Sequence, residues 1–236
     1  MLLANAITFA QNKLVPAKAS FEKQWLKDGT YRMIWYAVKD TSKIEIGKVT
    51  TQVITNDKNV TVVSQVEIKN MNAPWIDSTV ADIVTLKPVY HSSYNMQRDM
   101  VLHFGKVVEG FYNDKMKMQN TSIKDTTNEA YFDSNLYPVL VGWLPLGEGY
   151  EQDISIYDYN PSARSGVLKA SVDSVKSGHY LTKKSGNREI WIVSVSDELG
   201  GDGTSNSTYY FDKADRKLWK EELNAGGRQM TMEAVE

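Results

Sequence analysis

Asp133-Ser134-Asn135-Leu136-Tyr137-Pro138-Val139-Leu140-Val141-Gly142-Trp143-Leu144-Pro145 is the stretch that breaks the period of the rest of the chain. It opens with residues that favour helix N-caps and closes at a proline. Pro138 lies in the first turn, where a missing amide donor costs little. Leu136, Val139, Leu140, Trp143 and Leu144 fall on one helical face, and Tyr137 and Val141 make the other face apolar too. A helix apolar around its circumference is normally enclosed by other elements. The segment therefore predicts a buried helix over 133–146, inside something large enough to surround it.

The flanking sequence supplies the enclosure, because its period is two. Tyr31, Met33, Trp35 and Ala37 alternate with Arg32, Ile34, Tyr36 and Val38, and bulk on both faces predicts a strand covered on both sides. Runs at 44–50 and 60–68 are joined through Asn56-Asp57-Lys58-Asn59, residues that tolerate left-handed backbone, so a hairpin is expected there. Further strands are expected at 75–84, 88–94, 100–104 and 107–113, with turns at Gly105-Lys106 and Asn113-Asp114. After the helix the alternation resumes at 149–159, 166–175, 189–196, 208–212, 217–223 and 229–233. Residues 16–27 read either as a short helix, with Phe21 and Trp25 on one face, or as an extended arm turning at Asp28-Gly29. Roughly a dozen strands around one helix describe a mainly β protein, a large curved antiparallel sheet or half-barrel with one or two helices on its concave face. No linker or fixed-period repeat divides the chain, so residues 13–236 are expected as one domain.

Composition points the same way. Val, Ile, Thr, Tyr, Trp and Phe supply 76 of the 236 residues, against 14 Ala and 15 Leu. With 27 basic and 29 acidic residues the net charge is −2, which gives no electropositive footprint for nucleic acid. Cysteine is absent, which excludes thiolate metal sites, thiol catalysis and disulfides. No apolar run reaches transmembrane length. Residues 1–12 begin with an apolar stretch ending in small residues at Thr8 and Ala10, expected as a signal-peptide remnant or a disordered start. Asp77-Ser78-Thr79, Asp125-Thr126-Thr127 and Asp173-Ser174-Val175 look like the Asp-Ser/Thr-apolar sites that carry O-linked sugars on some exported bacterial proteins, a hint toward export.

Residues able to carry chemistry are dispersed. His91, His103 and His179 show no metal-ligand spacing and are expected as hydrogen-bonded or exposed histidines. Gly200-Gly201-Asp202-Gly203-Thr204 lacks the Gly-Lys-Ser/Thr ending of a phosphate loop and precedes a strand, so it reads as a hairpin loop. There is no Gly-x-Ser-x-Gly elbow. Carboxylates such as Glu221-Glu222 fall at intervals expected of solvent-facing strand positions. The pattern predicts no enzyme, no cofactor and no metal. Tyr157-Asp158-Tyr159 and the six tryptophans are expected chiefly as core and cross-strand partners.

Five short motifs carry a resemblance. They are Thr85-Leu86-Lys87-Pro88-Val89 leading into Tyr90-His91; Gly-Lys-Val-Val-Glu-Gly at 105–110; Leu144-Pro145-Leu146-Gly147; Tyr209-Tyr210-Phe211-Asp212; and Leu218-Trp219-Lys220. In this order, over about residues 30–232, the chain resembles an uncharacterised family of exported bacterial proteins in the superfamily of the periplasmic lipoprotein carriers LolA and LolB. The resemblance implies an unclosed, strongly curved sheet whose concave face is covered by helices and can hold acyl chains. It implies no catalytic residue, and it matches neither the carriers' functional arginine nor a lipobox cysteine. The function expected is therefore binding of a lipid or other apolar ligand in the periplasm or cell envelope. Trp35, Trp75, Leu140, Trp143 and Leu144 are the candidate cavity residues. The alternatives are a structural or interaction module with a filled core and, behind it, a hydrolase.

Overall fold

The computed structural model describes residues 13–200 and 203–236. The reading of residues 1–12 as a signal remnant or disordered start lies outside the described residues. So do Gly201 and Asp202 of the glycine-rich loop, whose flanking strands pair directly, Asp197 opposite Ser205.

Among the described residues one sheet of fifteen strands runs through the chain. Its first half is β1 (Gly29–Lys39), β2 (Ser42–Thr55), β3 (Asn59–Ile68), β4 (Trp75–Asp82), β5 (Pro88–Tyr94), β6 (Arg98–Phe104), β7 (Val108–Asp114) and β8 (Gln119–Asp125). A two-residue β9 (Phe132–Asp133) precedes the single helix α1 (Tyr137–Trp143). The second half is β10 (Gln152–Asp158), β11 (Gly166–Leu181), β12 (Asn187–Asp197), β13 (Ser205–Asp212), β14 (Leu218–Ala225) and β15 (Arg228–Ala234). Neighbours in sequence are neighbours in the sheet, except that β8 and β9 stand at its opposite ends while β1 pairs with β15 and so joins the halves at the centre. All pairs are antiparallel apart from the short β9–β10 contact.

The sheet is open, with β8 and β9 at its two ends. It curls until β9 touches β5 without pairing to it. Bulges at Trp35/Tyr36, Val80/Ala81, Val172/Ser174 and Tyr210/Phe211 sharpen the local twist. Gly110 marks a close approach of strands, since a Cβ there would sit 1.9 Å from the Val101 carbonyl oxygen. The fold is thus mainly β, a curved half-barrel with one helix inside it.

The core occupies the concave face. Leu136, Tyr137, Leu140, Val141 and Leu144 pack against Val53, Val60 and Val62 on one side and against Ile154, Leu168, Val193 and Val195 on the other. A second cluster packs Tyr131 and Tyr157 onto Met100, Leu102, Val108 and Ile123, closing the curl.

Several elements differ from expectation. The helix is shorter than 133–146 because Asp133 lies in β9 and spends its carboxylate on Thr79 and His91 rather than on a helix cap. β8 carried no period-two signal: only Ile123 of Gln-Asn-Thr-Ser-Ile-Lys-Asp is buried, as suits an edge strand. Residues 16–27 form an arm with a single 3₁₀ turn at Lys23–Trp25. In β1 only Met33 is buried, so the covered-on-both-faces expectation is corrected. Ile34, Tyr36 and Val38 on its other face stay half-exposed because, among the described residues, neither hydrophobic cluster packs against them.

Candidate functional site

Between α1, the 3₁₀ turn and the centre of the sheet the packing leaves a cavity of about 120 Å³. Pro138, Val139, Gly142 and Trp143 form its helical wall, with Trp25 from the arm. Tyr31 and Met33 of β1, Val49 and Thr51 of β2, Tyr209 and Phe211 of β13, Leu218 and Glu221 of β14 and Met232 of β15 form the sheet wall. Gly142 lets α1 approach the sheet: a Cβ there would meet Phe211 Cε1 at 3.0 Å. The arm is fastened by the Glu22 amide, which donates to the Trp143 carbonyl at 2.8 Å. Trp25 Nε1 donates to Glu22 Oε2 at 2.6 Å.

Three charged side chains border this apolar lining, Arg216, Glu221 and Asp215. Arg216 lies in the turn between β13 and β14, and Asp212 is the keystone of that turn. The Asp212 carbonyl accepts the Arg216 amide at 3.0 Å, and its amide donates to the Lys217 carbonyl at 2.8 Å. Its carboxylate accepts from Trp219 Nε1 at 2.9 Å and from Arg188 Nε at 2.7 Å. Although burial works against ionisation, these donors hold the Asp212 carboxyl below its ordinary pKa. Arg216, at φ 61°, carries its guanidinium over the Trp25 ring, 5.2 Å from the centroid, and donates from Nη2 to Glu22 Oε2 at 3.0 Å. Its Nε and Nη1 are buried without a partner.

Glu221 is the second charged group. Its residue is half-buried, but its carboxyl end is withdrawn from solvent. Burial pushes its pKa up to about 7, against the hydroxyls of Ser207 and Tyr209, which favour the ionised form, while nearby Asp197 adds to the rise. Sequence spacing placed Glu221 toward solvent. The bulge at Tyr210/Phe211 overturns that: Phe211 pairs with Leu218 and Tyr209 with Glu221, so two residues three apart both face inward.

A polar cluster stands where β4 and β5 meet β9. His91 Nδ1 lies 2.9 Å from Asp133 Oδ2, and the Thr79 hydroxyl donates to the same oxygen while accepting from Asn135 Nδ2 at 3.0 Å. Ser134 Oγ donates to Asp158 Oδ1 at 2.8 Å. Burial disfavours a charged His91, and Asp133 outweighs it, holding the imidazole above its ordinary pKa. His91 Nε2 and Ser155 Oγ are buried without partners. The cluster is sealed and seats the β9 end of the sheet on the β5 side.

A family model described as "Protein of unknown function (DUF3108)" matches residues 30–233. The chain belongs to this family. The match covers β1 to β15 and so includes every strand that borders the cavity. No curated protein matches the sequence. Among solved structures, the DUF3108 chain is similar to the crystal structure of a beta-barrel-like protein of domain of unknown function DUF1849 from Brucella abortus. The TM-score is 0.55 at 10% identity, over 89% of this chain and 97% of that one. At that identity the likeness speaks for the fold alone.

The residues singled out from sequence lie in four places. Trp143 lines the cavity. Leu140 and Leu144 are fully buried in the core beside it. Trp35 sits opposite cavity-lining Met232, hence on the same face of the sheet, yet outside the lining. Trp75 is remote: its Nε1 donates to Asp77 Oδ1 at 2.9 Å and Ser93 Oγ at 3.1 Å, with Arg98 over its ring. Arg216 and Glu221 gave no motif in the sequence. Among the described residues no group of His, Asp and Glu stands close enough to hold a metal ion. No helix among them is long and apolar enough to cross a membrane.

Proposed function

We propose that this DUF3108 protein is a non-enzymatic binding protein of the cell envelope that holds an apolar or amphipathic small molecule in the cavity under α1. The observation that carries the reading is that cavity: about 120 Å³, lined mainly by aromatic and aliphatic side chains, beside a core of fully buried side chains. A dry apolar cavity of this order accommodates a group about the size of a benzene ring. Burial of ligand surface there contributes about 25 cal/mol per Å². The envelope location is supported by the resemblance to the LolA and LolB carriers and by the Asp-Ser/Thr-apolar motifs, of which Thr126 is exposed.

A second reading, an interaction module with a filled core, is favoured by the dense packing of Leu136, Leu140 and Leu144 over most of the concave face. Uptake of the neutral fluorophore 1-aminonaphthalene separates the two. Binding is expected to quench Trp25 and Trp143 by energy transfer, and Val139→Trp, which fills the space, is expected to abolish it. No uptake by the wild-type protein, together with no apolar molecule in its organic extract, would favour the filled-core module.

A further inference from the structure

Arg216 is the least satisfied charged group bordering the cavity. Its side chain is 8% exposed, its Nη2 is committed to Glu22, and its Nε and Nη1 donors meet neither solvent nor acceptor. Guanidinium remains charged at any physiological pH, and buried donors without partners are rare in folded proteins. The same residue lines the cavity, so a ligand entering it comes up against this side chain.

A second observation lies just outside. The β1–β15 ladder ends at Met33 opposite Ala234, with the Val235 amide still donating to the Arg32 carbonyl at 2.8 Å, so residues 29–31 of β1 pair with β2 alone. The uncovered edge opens a cleft of about 320 Å³ that shares Tyr31, Met33, Asp215 and Leu218 with the cavity wall. Lys27, Arg32 and Lys217 border the cleft, against the single acid Asp215. An apolar chamber thus adjoins a cationic one, and along the β13–β14 turn Arg216 faces the first while Lys217 faces the second.

We infer that the site takes a short anionic amphiphile, its hydrocarbon in the cavity under α1 and its carboxylate or phosphate head on Nε and Nη1 of Arg216. The cations of the adjoining cleft complement the head's charge. This rests on the proposed function and adds the ligand's class to it. The acids that oppose an anion are Glu221 and Asp215 on the cavity wall and Glu22 on the far side of Arg216; Tyr31 and Tyr209 are neutral. Glu221 is mostly protonated at pH 6, which sets the condition for the test.

The full chain is titrated at pH 6 with hexanoate, hexyl phosphate, hexanol and inorganic phosphate, followed by calorimetry and tryptophan fluorescence. At least one hexyl anion is expected to bind about tenfold or more tightly than hexanol, with inorganic phosphate far weaker. The anion that wins identifies the head group. In Arg216→Gln the ratio of anion to alcohol affinity is expected to collapse toward one, and Arg216→Lys is expected to restore part of it. Equal affinity for hexanol and the anions would overturn the inference while leaving the apolar cavity intact. Inorganic phosphate as tight as hexyl phosphate would overturn it in favour of a free-anion site, and an unchanged ratio in Arg216→Gln would remove Arg216 from it. The wild-type comparison holds whether or not the variants fold. Failure of every hexyl compound and of 1-aminonaphthalene would remove the cavity reading itself.

Discussion

Replacing Glu221 by Gln turns the carboxyl on the cavity wall into a measurable pH dependence of stability. In the folded protein its pKa is raised from 4.5 to about 7, chiefly by burial. Between those two values the native state binds the proton that the unfolded chain has released, so stability falls as pH rises. The penalty is absent below the unfolded pKa of 4.5, accumulates between 4.5 and 7, and is complete above 7. The raised pKa corresponds to about 3 kcal/mol at full burial, and the partial exposure of the residue makes that an upper bound. Urea unfolding of the wild type and Glu221→Gln at pH 5, 6, 7 and 8 reads it directly. Asp158 and Asp197, whose pKa values are also raised by burial, titrate in both proteins and largely cancel in the difference. The expected result is a wild type that loses up to about 3 kcal/mol relative to the Gln variant as pH rises from 5 to 8. Parallel stability curves would refute the reasoning and return Glu221 to the solvent-facing role that its spacing suggests.

Leu140, fully buried between helix and sheet, should cost about 2–5 kcal/mol when truncated to Ala, read as a lower urea midpoint at unchanged slope; a loss under about 1 kcal/mol would contradict the close packing of α1. The His91 imidazole should titrate above its ordinary 6.5 by NMR, and Asp133→Asn should lower it, because burial is then opposed only by the weaker charges of Asp77 and Asp158. A wild-type midpoint at or below 6.5 would refute the pairing.

Much of the fold was legible in the chain. Period-two runs from Tyr31 to Ala37 and from Val60 to Ile68 declare strands because one face must be apolar to be buried. The all-round apolar segment at Leu136–Leu144 declares an enclosed helix, and the hairpin at 56–59 follows from turn chemistry alone. Trp143, chosen from its place on that helix, lines the cavity. β8 was not legible, because an edge strand lying half in solvent needs no hydrophobic alternation.

The site residues Arg216 and Glu221 illustrate the same limit more sharply. Nothing local distinguishes Arg216 from an exposed turn residue; the arm bearing Glu22 and Trp25, nearly two hundred positions away, makes it buried. Nothing local turns Glu221 inward; a one-residue bulge against β13 does so by changing which positions share a face. Composition and period, being short-range properties, determined the class of fold, the enclosed helix and the absence of thiol chemistry. The joining of the two halves through β1 and β15, the curl that seats Asp133 on His91, and the unpaired donors bordering the cavity were decided only by tertiary structure. Each depends on contacts between residues far apart in the chain, whose meeting no window of local sequence encodes.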